Sequence, residues 1–200
     1  MAHGETAHNL GENAMGQLGF YFDMTRCTGC RCCQIACKDK NDLPVGTLFR
    51  EVSDFEGGVF PQVWAASLSM ACNHCMEPQC AQNCPVAAYS KDPETGLVLQ
   101  DTWMCIGCKR CTLSCPYGAP AYNPIDDTVR KCNGCIDWLQ NGLQPACVGA
   151  CSTRALQFGD IDELRSRFGQ RALSCDAQGL PDSELTHPNV LIACKDQMRP

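Results

Sequence analysis

The sequence predicts an α+β protein made of two stacked modules, with a β-hairpin insertion and an irregular C-terminal tail. Three observations predict it. Sixteen of the 19 cysteines in the 200 residues fall into four short runs. The runs repeat one another, which marks a duplicated unit rather than one large core. Aliphatic side chains are scarce, because the 44% hydrophobic fraction counts the cysteines, and without them roughly a third of the sequence is left to build a core. Bound inorganic groups that cross-link distant segments would supply what is missing, so a largely unfolded apoprotein is expected.

Run one, Cys27, Cys30, Cys33 and Cys37, has the spacing C-x2-C-x2-C-x3-C. Run three, Cys105, Cys108, Cys111 and Cys115, repeats it and adds Pro116, which is the bacterial ferredoxin signature. Run two, Cys72, Cys75, Cys80 and Cys84, widens the middle gap by two residues and also ends in Cys-Pro. In run four, Cys132, Cys135, Cys147 and Cys151, the middle gap alone is stretched, to 11 residues. Such runs are iron–sulfur ligand sets, and the modules are therefore bacterial-ferredoxin-like, each holding two [4Fe-4S] clusters. In a two-cluster module three cysteines of one run hold one cluster and the fourth reaches the other. Zinc is the better rival, but zinc closes a tetrahedron from two separated pairs and does not need a third cysteine followed by x3-Cys-Pro. Disulfides are disfavoured by the odd cysteine count and by the lack of a secretory signal pattern.

Taken in sequence order, residues 1–17 form a flexible N-terminus. The outer module is discontinuous, 18–71 plus 121–165, and holds the hairpin insertion: Leu48 to Phe55 and Val63 to Met70 read as strands joined at Glu56-Gly57-Gly58. The inner module spans 72–120. Small helix formers follow its Cys84-Pro85, Asp92-Pro93 and Thr95-Gly96 make a turn, and Leu97 to Leu99 a strand. Beyond run four, Ala155 to Phe158 read as a strand, and Asp160 with Glu163 as a capping box for a helix ended by Gly169. Residues 166–200 lack periodicity and form a tail over a partner or the surface.

The net charge of −6 counts the thiols as neutral, and loaded clusters would make the protein more acidic, which argues against nucleic acid as a partner. Basic residues crowd the runs: Arg26, Arg31, Lys38, Lys40, Lys109, Arg110, Arg130, Lys131 and Arg154. Most read as solvated surface, and some as partial neutralisers of the clusters. His74, between two ligands, reads as a hydrogen-bond donor to cluster sulfur or as a packing residue. Trp64, Trp103 and Trp138 read as core or interface packing. Cys32, Cys175 and Cys194 read as idle thiols. No apolar stretch is long enough to span a bilayer. No dinucleotide fingerprint, P-loop or nucleophilic triad accompanies the cysteines, so no catalytic residue is expected.

The order of the runs, with Arg-Cys-Thr-Gly-Cys at 26–30, Cys-Asn-His-Cys at 72–75, Cys-Ile-Gly-Cys at 105–108, Cys-Pro-Tyr-Gly-Ala-Pro at 115–120, Lys-Cys-Asn-Gly-Cys at 131–135 and Arg-Ala-Leu-Gln-Phe-Gly at 154–159, resembles the electron-transfer subunit of the dimethyl sulfoxide reductase family. The likeness covers roughly 18–165, with a weaker echo at His187 to Ile192. It departs at Ser152, where the family usually has proline, and in Cys32. The resemblance implies four [4Fe-4S] clusters: one on Cys27, Cys30, Cys33 and Cys151; a second on Cys37, Cys132, Cys135 and Cys147; a third on Cys72, Cys75, Cys80 and Cys115; a fourth on Cys84, Cys105, Cys108 and Cys111. Related nitrate reductases have tryptophan in the third run and a three-iron cluster; Cys108 implies a complete cubane here.

The resemblance further implies a relay of single electrons between a quinol-linked membrane subunit, or another donor, and a molybdopterin catalytic subunit in anaerobic respiration. A soluble polyferredoxin carrier for hydrogenase or formate dehydrogenase type partners is the alternative, and a purely structural metal protein the third. The first 19 residues have no basic start, twin arginine or apolar stretch. The expected place is therefore at the cytoplasmic membrane within a complex, on a side set by the partner.

Overall fold

The computed structural model describes residues 16–169, 173–174, 177 and 179–199. The expected N-terminal arm up to residue 15, and Cys175, lie outside them. In sequence order the elements are β1 (Leu18–Asp23), α1 (Cys32–Lys40), β2 (Glu51–Val59), β3 (Gln62–Met70), α2 (Gln79–Gln82), β4 (Tyr89–Lys91), β5 (Val98–Gln100) and α3 (Arg110–Ser114). There follow β6 (Ala121–Asn123), β7 (Thr128–Arg130), α4 (Ile136–Leu139), α5 (Ala146–Gly149), β8 (Leu156–Asp160), α6 (Ile161–Phe168), β9 (Leu173–Ser174) and β10 (Val190–Ala193). The α+β class holds.

A four-stranded sheet in the order β8-β1-β10-β9 gathers the ends of the described chain. β1 pairs antiparallel with β8 and parallel with β10. Both faces of β1 and β10 are covered, which is why Gly-Phe-Tyr-Phe and Val-Leu-Ile-Ala read as unbroken apolar runs. One face carries Phe20, Phe22, Leu156, Phe158, Val190 and Ile192 into the largest core, where Cys33, Cys147 and Cys151 also sit. The other packs Tyr21, Leu191 and Ala193 against Leu164 of α6, and Phe168 stacks on Tyr21 at 3.9 Å. Asp160 caps α6, its Oδ1 accepting from the N–H of Asp162 and Glu163.

β2 and β3 form a nine-residue-per-strand antiparallel hairpin. Its turn is at Phe60-Pro61, not at Glu56-Gly57-Gly58. Gly57 stays in the strand opposite Trp64, whose ring lies 2.8 Å from where a Cβ would be, so the glycine provides room rather than a reversal. β4–β5 and β6–β7 are smaller hairpins of three-residue strands. Residues 85–88 form a turn rather than a helix; the helix α2 precedes Cys84 instead. The β6–β7 segment was expected with the outer module, yet Val129 packs with Tyr89, Val98, Cys80 and Cys111.

The C-terminal segment is not an irregular tail. Val190–Ala193 is an interior strand, buried throughout. Immediately before it, residues 186–189 are bound to the second cysteine run: Met76 N–H donates to His187 O at 2.9 Å, Glu77 N–H to Thr186 O at 3.0 Å, and Asn189 N–H to Asn73 O at 3.0 Å. A four-residue apolar run is too short to show a period, which is why it escapes a periodicity reading.

Candidate metal centres

Each Cys-x-x-Cys loop has a left-handed residue just before its second cysteine: Gly29 at φ 68°, His74 at 45°, Gly107 at 65° and Gly134 at 71°. Glycine takes this conformation without a Cβ penalty. At Gly107 a Cβ would meet Asp127 O at 2.4 Å. His74 tolerates the same conformation because it is anchored: Val98 N–H donates to its Nδ1 at 3.1 Å, and Asn189 Nδ2 donates to its carbonyl at 2.7 Å. After the second cysteine, Arg31 at φ 59° and Lys109 at 58° again turn left-handed before α1 and α3 begin. Runs one and three thus share a backbone as well as a spacing.

The fold brings the sixteen motif cysteines into four groups. Cys72, Cys75, Cys80 and Cys115 line one cavity, of about 350 Å³, together with Lys131 and Thr186. Cys84, Cys105, Cys108 and Cys111 line a second, of about 300 Å³, with Tyr89 and Val129. Cys27 has Cys33, Cys151 and Cys30 as its charged neighbours, and Cys37 has Cys147 and Cys135. Neighbouring groups adjoin. Cys37 also feels Cys33, Cys132 feels Cys72, and Tyr89 lies among Cys111, Cys80 and Cys105. Of the sixteen, only Cys30 and Cys108 are exposed, one in each terminal group.

These thiols are built to be ligands. Burial pushes Cys37 and Cys80 up to about 12 and Cys75 to about 11, and drives Cys132 up further. Deprotonating them inside the protein is costly unless a metal compensates the charge. Main-chain donors already aim at the sulfurs: Ala88 N–H at Cys84 Sγ (3.3 Å), Gly134 N–H at Cys132 Sγ (3.4 Å) and Val129 N–H at Cys105 Sγ (3.5 Å). Such bonds favour thiolate over thiol. Among the described residues no three His, Cys, Asp or Glu side chains form a site for a single ion. The cysteines ring spaces instead, which suits a group with four separate metal atoms.

His74 is wholly buried and its pKa lies well below the usual histidine value, first because of burial and then because of Lys131. Nδ1 is an acceptor, so the neutral ring carries its proton on Nε2, which has no partner in the protein. Of the nine basic residues near the runs, Lys131 alone is buried, donating to Val98 O and Cys132 O. Trp64 packs on the largest core, but Trp103 is 97% exposed, outside any core. Cys32 is exposed at the start of α1, where its N–H, then its thiol, hold the Cys30 thiol below its ordinary value. Cys194 is buried in the largest core, away from the four groups.

Sequence reasoning missed Arg50, Ser69, Tyr89 and Thr186. Thr186 is buried and lies with its hydroxyl on Cys75; Tyr89 sits with its hydroxyl on Cys111. None lies within a cysteine run, so no spacing signal marks them.

Cavities ringed by cysteine, with amide donors on the sulfurs, define an iron–sulfur protein of the ferredoxin type. The 4Fe-4S dicluster domain family matches residues 63–161. The sequence is 42% identical over 192 residues to the iron–sulfur subunit of the anaerobic dimethyl sulfoxide reductase of Escherichia coli, covering 92% of each protein. It is 40% identical to the like-named subunit from Haemophilus influenzae, over 89% of each. It is 36% identical to one subunit of the sulfite dehydrogenase of Allochromatium vinosum, over 74% of this protein and 71% of that one. This protein belongs to the family of anaerobic dimethyl sulfoxide reductase iron–sulfur subunits, which transfer electrons. It is a non-catalytic subunit that carries [4Fe-4S] clusters.

Proposed function

We propose that the protein relays single electrons through four [4Fe-4S] clusters, to or from a molybdopterin catalytic subunit, with a quinol-linked membrane subunit or another donor at the far end. One observation carries this reading: the four cysteine groups adjoin in linear order, and only the two terminal groups expose a cysteine, Cys30 and Cys108. Cys27, Cys30, Cys33 and Cys151 hold the first cluster, and Cys37, Cys132, Cys135 and Cys147 the second. Cys72, Cys75, Cys80 and Cys115 hold the third, and Cys84, Cys105, Cys108 and Cys111 the fourth. Bound there, each cluster takes up and releases one electron at a time with little rearrangement.

The first two groups define an outer module, 18–71 with 121–165, stacked on an inner module, 72–120, against which the 121–130 hairpin packs. The protein supplies thiolates, main-chain N–H donors and a dry surround, which together set each potential. Among the described residues no helix is long and apolar enough to cross a membrane, so a membrane anchor subunit would hold the protein in place.

The test is anaerobic purification of the complex under gentle conditions. The expected result is about 16 iron atoms per protein, four for each of four clusters, and a much larger molybdenum-containing partner. Near-stoichiometric zinc, or half that iron, overturns the cluster count. Recovery as a monomer that shuttles electrons between soluble enzymes supports the polyferredoxin carrier instead.

A further inference from the structure

Arg50 is 2% exposed. It is in none of the nine positions that flank the cysteine runs, and no Asp or Glu among the described residues pairs with it. Its guanidinium lies over the Phe20 ring, 4.6 Å from the centroid, beneath the sheet. Nη1 donates to Ser69 O at 3.1 Å and to Ser69 Oγ at 3.2 Å. Nε, also buried, has no partner in the protein. A buried cation without a counter-charge costs several kcal/mol, and a buried donor left unmade costs about 1–3 kcal/mol more. A fold that keeps both has a counter-ion to set against them.

The groups around Arg50 say which. Burial lowers its pKa, but Cys147, Cys132, Cys33 and Cys37 outweigh that and raise it, so the side chain stays charged. Cys33 belongs to the first cysteine group and the other three to the second. A direct link to the first exists: Ser69 Oγ lies 3.4 Å from Cys33 Sγ. Because that hydroxyl accepts from Arg50, its own proton is free to be donated to the sulfur of Cys33 once this is a thiolate.

We propose that Arg50 is the buried counter-cation shared by the first two clusters, with Nε–H kept for cluster sulfur and Ser69 passing a second hydrogen bond to Cys33. The inference rests on the ligand grouping given above. Its consequence is electrostatic. A fixed positive charge stabilises the reduced, more negative state of both outer clusters and raises their potentials relative to those of the inner pair. Arg50 touches no substrate and acts as a positioning and tuning residue.

The experiment is a potentiometric titration of the purified complex, followed by electron paramagnetic resonance, for wild type, Arg50→Met, Arg50→Lys and Ser69→Ala. In Arg50→Met the ratio of reduced to oxidised outer clusters at the wild-type midpoint should fall about tenfold or more, a shift of about 59 mV for a one-electron couple, with the inner pair unmoved. Arg50→Lys should recover most of that shift. Ser69→Ala should move only the cluster held by Cys33, and by less. Unmoved midpoints in Arg50→Met with four clusters present overturn the proposal, and so do equal shifts in all four. If Arg50→Met does not assemble, unmoved midpoints in both other variants overturn it equally. Fewer than four cluster signals in wild type would count against the ligand grouping, not against Arg50.

Discussion

The outer and inner halves of the molecule hold the same number of motif cysteines in very different settings. The outer half has a four-stranded sheet whose core is led by Phe20, Phe22, Leu156, Phe158 and Ile192, with the helix α6 closing its back. The inner half is contiguous in sequence but has only three-residue strands, and its largest cluster of buried side chains counts two cysteines among five residues. Contiguity therefore does not mean autonomy. The segment that looks most like a complete small domain has the least apolar surface of its own, and the one assembled from distant pieces has the most.

The largest effect expected from this difference is the response to iron removal. Apolar burial contributes about 25 cal/mol per Å² whether or not iron is present, so the sheet of β1, β8 and β10 should persist when the clusters are stripped. The hairpins β4–β5 and β6–β7 should not, because their stability is metal-binding energy. Hydrogen exchange on holo and stripped protein should show protection lost throughout 79–130 and kept at Phe20, Phe22 and Ile192. Uniform loss would restore the expectation, drawn from composition, of a wholly unfolded apoprotein. Reassembly should also grow easier as pH rises. Thiols held near 11 or 12, such as Cys75, Cys37 and Cys80, are protonated at neutral pH and must each release a proton to the medium when they take iron.

A single cluster gives a sharper version. Cys108 is exposed in the terminal inner group, whereas Cys32 and Cys194 stand outside all four groups. Cys108→Ser should remove or convert one cluster, down to a three-iron form, and loosen β4–β5. Cys32→Ser and Cys194→Ser should leave iron content and every resonance signal as they are. A cluster signal lost in the Cys32 variant would show that the first group is ringed differently.

The sequence was most legible where metal chemistry dictates spacing. Run lengths identified the sixteen cysteines, and Asp160 with Gly169 marked the ends of α6. It was least legible where the metal imposes burial on residues distant in sequence. Arg50 lies in Leu48-Phe49-Arg50-Glu51, an ordinary approach to a strand, and only the fold puts it among cysteines from residue 33 to residue 147. The same is true of Thr186 and of β10. Four apolar residues after His187-Pro188-Asn189 carry no period, yet they supply an interior strand because β1 has an open edge there. The hairpin turn was misplaced because Gly57-Gly58 signals reversal more strongly than Phe60-Pro61, although Trp64 needs the space at Gly57.

The C-terminal strand can be tested at intermediate magnitude. Ile192 is fully buried on the cysteine-facing side of the sheet, so Ile192→Ala should cost about 2–5 kcal/mol. Unlike the iron effect, the damage should centre on the outer half, as lost exchange protection in β1 and β8. Because residues 186–189 tie β10 to the second cysteine run, the third cluster should also become more labile to chelator. Damage confined to the sheet would mean that the two halves are coupled less tightly than these hydrogen bonds imply.

The smallest effect belongs to the back of the sheet. Asp160 Oδ1 accepts from two N–H groups at the start of α6, both at 3.0 Å, and replacing such a cap by alanine typically costs about 1 kcal/mol. The helix packs only on the sheet face that looks away from the cysteines, through Leu164 and through Phe168 on Tyr21. Asp160→Ala should therefore lower the unfolding midpoint slightly and leave iron content, cluster signals and all four potentials unchanged, while Asp160→Asn, which keeps an acceptor, should lose less. A shift in any cluster potential would break the division drawn here, since it would mean that strain at α6 reaches through the sheet to the metal-bearing face.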